Sequence, residues 1–205
     1  MKKCLTAALL AALALTGCAQ KPAPAEESTP ENNSSQAENK SADNTPEITV
    51  HAEDGVEDEY ADLISGYFAA IGRQDFEAYK AALYPPFAEA YGAYLEKDGS
   101  SLETVFNGMH DMFNEDGYES WHFSDITIAN YPEERVDLDG FFNAYVSAGY
   151  FEQELADQCR EEAEEIRDFQ FSVSALYTGD EEPVEVISGK EIIALRTAEG
   201  VYLFG

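Results

Sequence analysis

Basic residues are scarce in this chain: 12 Lys and Arg stand against 41 Asp and Glu, a formal charge of −29 over 205 residues. Nucleic-acid binding relies on cationic side chains to neutralise phosphates, so that class of partner is excluded. Flat adhesion to an anionic lipid surface is excluded for the same reason. Solubility accounts for most of such a charge, and a cationic partner is the one charged class left open. Cysteine is also rare, with only Cys4, Cys18 and Cys159, and there is no CxxC pair. His51, His110 and His122 show neither HxxxH nor HxH spacing, so no metal and no cofactor are expected. A Gly-rich phosphate loop and a nucleophile elbow are absent as well. Asp137-Leu138-Asp139-Gly140 has the form of the middle of a calcium loop, but Arg135 and Val146 occupy its first and twelfth ligand positions.

There is one long apolar run. Leu5 to Leu15 follows the basic Met1-Lys2-Lys3, and it falls well short of the ~18 residues that span a bilayer. Length and flanks fit an export signal. Leu15-Thr16-Gly17-Cys18 resembles the lipobox of bacterial lipoproteins. That resemblance implies a signal peptide over residues 1–17, cleavage between Gly17 and Cys18, and diacylglyceryl transfer to the Cys18 thiol. It places the protein at the cell membrane, lipid-anchored on the extracytoplasmic face. Loss of the leader removes Lys2 and Lys3 and no acid, so the mature chain is more negative by two charges. With Cys4 removed and Cys18 acylated, Cys159 is left with no partner for a disulfide.

Residues 18–47 are built from Pro, Ser, Asn, Glu and Ala and contain no aromatic residue. Such a stretch buries too little apolar area to offset its ordering entropy, and is expected to be a disordered acidic tether. The remainder, residues 48–205, is long enough to bury a core as one domain.

Within it, Tyr60, Leu63, Ile64, Tyr67, Phe68 and Ile71 recur at helical spacing, with Gly72 expected at the helix end. Asp75 is expected to cap a helix carrying Phe76, Tyr79 and Leu83, which Pro85-Pro86 stops. Phe87, Ala90, Tyr91, Tyr94 and Leu95 mark a third helix. Ser100 with Glu103 suggests a capping box for a fourth, which Gly117 closes. Trp121–Tyr131 reads as a strand whose parity breaks near Ser124-Asp125, as a bulge would cause. Leu138–Ile166 reads as a helix broken at Gly149, with Glu161–Glu165 as its solvated face and Leu155, Cys159 and Ile166 inward. Strict alternation from Phe169 to Tyr177 predicts a half-buried strand. Val184–Leu195 and Val201–Phe204 complete a meander.

Helices, one strand, a long helix and three antiparallel strands make an α+β chain. The order resembles the NTF2-like (cystatin-like) superfamily, as do the stretches YFAAIGRQDFEAYKAALYP and EGVYLFG. The resemblance implies a cone, with N-terminal helices packed on a curved antiparallel sheet of about four strands. It also implies a pocket at the wide end. Enzymes of that superfamily use a carboxylate in an apolar pocket, assisted by a tyrosine or a protonated acid. On that pattern His122, Asp125, Tyr145 and Tyr177 are the pocket candidates, although core packing accounts for the tyrosines equally well. Cys159, inward and beside several glutamates, reads as a small buried hydrophobe and not as a nucleophile. No catalytic residue is assigned. Three functions stay open: a non-catalytic domain binding a small molecule or envelope protein, an isomerase- or lyase-type enzyme, and a structural or assembly module.

Overall fold

Three consecutive β-branched residues, Ile48, Thr49 and Val50, precede His51 and favour extended backbone. They open the part of the chain that the computed structural model describes, residues 47–114, 120–132 and 137–204. The leader, Cys18, the tether up to residue 46 and Gly117 lie outside the described residues. The first element is a strand, β1 (Thr49–Ala52), which carries His51 into the sheet. Four helices follow: α1 (Asp58–Arg73), α2 (Phe76–Ala82), α3 (Pro85–Lys97) and α4 (Leu102–Asp111). Then come β2 (Trp121–Asn130), α5 (Leu138–Ala148), α6 (Gln153–Glu162), β3 (Ala163–Tyr177), β4 (Val184–Thr197) and β5 (Gly200–Phe204).

The fold is α+β with one open five-stranded sheet in the order β1-β2-β3-β4-β5. β1 runs parallel to β2 and the other neighbours are antiparallel. The expected antiparallel sheet of about four strands is thus a mixed sheet of five, because the run after Pro46 adds an edge strand. The parity break in β2 is a bulge: pairing slips between Phe123 and Asp125, leaving Ser124 as the extra residue.

Two helix ends differ from expectation. α1 continues past Gly72 and ends on Gln74, a non-glycine in the left-handed region at φ 55°. The cap of α4 is Ser101, whose hydroxyl accepts from Thr104 N–H at 3.1 Å. Ser100 is already used, since its N–H bonds Leu95 O while Gly99 N–H bonds Glu96 O, the Schellman ending of α3. Asp75 caps α2 as the sequence suggested, accepting from Ala78 N–H. Gly149 ends α5 at φ 76°.

The long helix is shorter than its composition suggests. α6 stops at Glu162 and the chain passes directly into β3, so Glu164, Glu165 and Ile166 are strand residues. Fourteen-residue β4 offers pairing partners back to Ala163, and that pairing outweighs the helix propensity of a Glu-rich segment.

One row of β3, Phe169, Phe171, Val173, Ala175 and Tyr177, is buried beneath α1, where Tyr60 and Phe68 meet Phe169 and Phe171 at 5.2 Å between ring centroids. Across β4 and β5 the opposite face is covered too. Phe204 contacts Phe87 of α3, Phe141, Phe142 and Tyr145 of α5, and Phe151. Between α2 and α3, Leu83 bridges Leu203 and Tyr84 N–H donates to Leu203 O at 2.8 Å, so this connector lies along the outer side of β5.

Candidate functional site

The four residues singled out from the resemblance do not converge. His122 and Asp125 lie on β2 on either side of the bulge, on the polar row paired with Leu176 and Ser174. Asp125 Oδ1 is 3.5 Å from Nε2 of His51, a pairing that the sequence did not suggest because nothing before Tyr60 reads as a strand. Tyr177 lies on the buried row of β3, directly opposite Trp121. Tyr145 is buried in the aromatic cluster at Phe204, three strand spacings from β2, or about 14 Å. Its burial holds the hydroxyl well above the usual tyrosine range, which keeps it a neutral donor.

Cys159 is buried on α6 with Leu155 and Ala156. Burial pushes its thiol up to about 12, against a smaller opposing pull from Arg160. It is not available as a thiolate nucleophile at neutral pH. Among the described residues, no group of three or more His, Cys, Asp or Glu is arranged to hold a metal ion.

One acid missed from the sequence is Asp168. It is 8 % exposed, and neither carboxyl oxygen has a hydrogen-bond partner from a conventional donor. Asp168 pairs with Ile193, and Gln170 with Glu191, so Asp168 and Glu191 are diagonal neighbours on one face. Burial first, then the Glu191 charge, lifts Asp168 far out of the carboxylate range, to about 8. Asp168 therefore keeps its proton at neutral pH. Its row continues through Ile193 to Phe204, whose aromatic cover explains why a residue on the polar side of β3 is dry. From sequence the helix ends at Ile166 and the strand begins at Phe169, so Asp168 falls between the two.

Charge is handled differently where α1 begins. Arg196 Nη2 lies 2.6 Å from Glu57 and 3.1 Å from Glu59, and its Nη1 lies 3.6 Å from Glu165. Arg167 reaches Glu165 at 3.3 Å and donates to Asn130 Oδ1 at 2.6 Å. Tyr60 donates to Glu165 at 2.8 Å, and both guanidinium groups lie over its ring. The tyrosine hydrogen bond, followed by the two arginines, holds Glu165 below the usual range despite partial burial. These groups form a clamp between α1 and the ends of β3 and β4.

A concavity lies elsewhere, outside the core. A cleft of about 870 Å³ opens between α2, α3 and the first turn of α4. Its apolar lining includes Phe76, Leu83, Ala88, Gly92, Ala93 and Leu102. Glu77, Glu89, Glu96 and Glu103 stand around it with Lys80 as the single basic residue. The Leu83 connector beside β5 belongs to this lining. Along α3 the wall is Pro85, Ala88, Glu89, Gly92, Ala93 and Glu96, at +3, +4, +7, +8 and +11, a second face beside the one that buries Phe87, Tyr91 and Leu95. That spacing was legible in the sequence, but its small residues gave no apolar stripe to notice.

Comparison with known proteins supplies no relative: no family model, no curated protein and no solved structure matches the chain.

Proposed function

We propose that the protein is a lipoprotein, acylated at Cys18 and held on the extracytoplasmic face of the cell membrane, whose NTF2-like domain binds a partner without catalysing a reaction. The anchor rests on the basic amino end, the apolar run, Leu15-Thr16-Gly17-Cys18 and the acidic tether. The order of helices and strands supports the NTF2-like assignment. The observation that carries the binding role is the open cleft at α2, α3 and α4, set apart from a core packed with aromatic rings. Metabolic labelling with a palmitate analogue, followed by membrane fractionation and external protease, tests the anchor. Label on the wild-type chain, its loss in Cys18→Ser and release of that variant from the membrane are expected. A Cys18→Ser chain that keeps the label or resists external protease in intact cells overturns this reading.

A second reading, an isomerase- or lyase-type enzyme, draws on the protonated Asp168 beside Glu191, with Tyr145 near enough to feel the Glu191 charge. None of these three lines the α2–α3–α4 cleft, which is why binding ranks first. The third, an envelope assembly module, predicts oligomers in solution, and sedimentation separates it from the others.

A further inference from the structure

The acids of this protein fall into groups with and without partners. Glu57, Glu59 and Glu165 meet arginines, as do Asp139 and Asp157 through Arg160. Glu162 accepts from Tyr84 and Gln158. Glu77, Glu89, Glu96 and Glu103 make no ion pair and no side-chain hydrogen bond among the described residues, and all four edge one apolar cleft. Lys80 is the single basic residue among those lining the cleft, so one cation stands against four carboxylates.

We infer that this cleft seats an amphipathic helix of a partner protein, with apolar residues on its inner face and Lys or Arg along its edges. The inference rests on the binding-module reading and specifies its partner. The α3 wall from Pro85 to Glu96 is about 16 Å long, the length of three helical turns. Glu89 and Glu96 are seven residues apart, about 10.5 Å along the axis, matching cations at i and i+7 on a helix lying alongside. Ala88, Gly92 and Ala93 between them leave room for close approach of a second backbone. A Cβ built on Gly92 meets nothing within 4 Å, so nothing inside the chain requires a glycine there. A glycine inside a helix is unfavourable relative to alanine. A helix seated against α3 gives that missing side chain a use.

Other occupants fit poorly. The chain's own residues 18–47 are acidic and lack aromatic or large apolar anchors. A second copy carries the same negative excess, and anionic lipid is repelled.

The test uses the full chain with Cys18→Ser in non-ionic detergent, titrated with a labelled synthetic peptide of leucines and lysines at helical spacing. Saturable one-to-one binding that weakens as salt rises is expected. A Cβ at Gly92 meets no neighbour, so Gly92→Phe should project into the cleft and raise Kd by at least about tenfold with Tm unchanged or higher. Glu89→Gln combined with Glu96→Gln should do the same, while Glu181→Gln with Glu182→Gln, remote from the cleft, should leave Kd unchanged. Equal losses from both glutamate pairs, or indifference to Gly92→Phe, would show diffuse attraction to an acidic surface and overturn the proposal. Equal binding of the peptide with glutamates in place of lysines, or no binding at all, overturns it too. None of these results bears on palmitate labelling, so the anchor reading stands or falls separately.

Discussion

The clamp at the start of α1 and the cleft between α2, α3 and α4 both concentrate glutamates on helices, yet they are opposite in design. At the clamp, Arg167 and Arg196 are woven between Glu57, Glu59 and Glu165, and the Tyr60 hydroxyl completes the network. Such a network serves the fold, since each charge is met by a group from another element. At the cleft, four glutamates border apolar surface with only Lys80 nearby. That arrangement works against the free chain and gains only from something outside it. Asp168 adds a third solution, in which a buried carboxyl is neutralised by keeping its proton.

The largest effect that separates the two regions should come from Tyr60→Ala. Tyr60 is fully buried against Phe169 and roots the clamp, so urea denaturation should show a loss of about 3–5 kcal/mol. The Gly92→Phe change in the cleft should stay within about 0.5 kcal/mol of wild type or be stabilising. Comparable losses from both would erase the distinction.

Next comes the protonated acid. Asp168 titrates higher in the folded chain than in the unfolded one, whose value is near 4, so between these values the native state holds the extra proton. The contribution of Asp168 to stability is therefore fully present below about pH 4 and is lost as pH rises towards 8. Asp168→Asn removes the titration and should stabilise the protein by about 1–3 kcal/mol at pH 8, with the gain shrinking towards pH 5. Thermal melts across that range check it, and a gain that grows on acidification would refute the retained proton.

A smaller gain is expected at the joint between the clamp helix and the cleft helix. Gln74→Gly relieves a left-handed non-glycine at the cost of an exposed contact to His110, for a net of up to about 1 kcal/mol in chemical denaturation. Smallest of all, Glu89→Gln with Glu96→Gln should raise stability by at most about 0.5 kcal/mol at low salt and not at high salt. If it lowers stability instead, those carboxylates serve the fold after all.

Much of this architecture is legible in local chemistry. Asp75, Gly149, the bulge at Ser124 and the alternation from Phe169 to Tyr177 each state their structure within a few residues. Other features depend on partners distant in sequence. β1 is too short to announce itself, and becomes a strand because β2 stands beside it. Glu164 to Ile166 read as helix from sequence and become strand because β4 pairs alongside them. Asp168 alternates with core aromatics like any solvent-facing residue, and only the α5 cluster near Phe204 makes its position dry. The cleft joins three helices, and no single one of them shows it.

The Leu83–Tyr84 connector has a consequence for association between copies. By bonding along Leu203 it uses up the outer hydrogen-bonding groups of β5 there, so that edge offers little template for a strand from another molecule. The opposite border is β1, which is only four residues long and carries the exposed His51. Strand addition from another copy is thus hindered at Leu203 on one border and meets only a short β1 on the other.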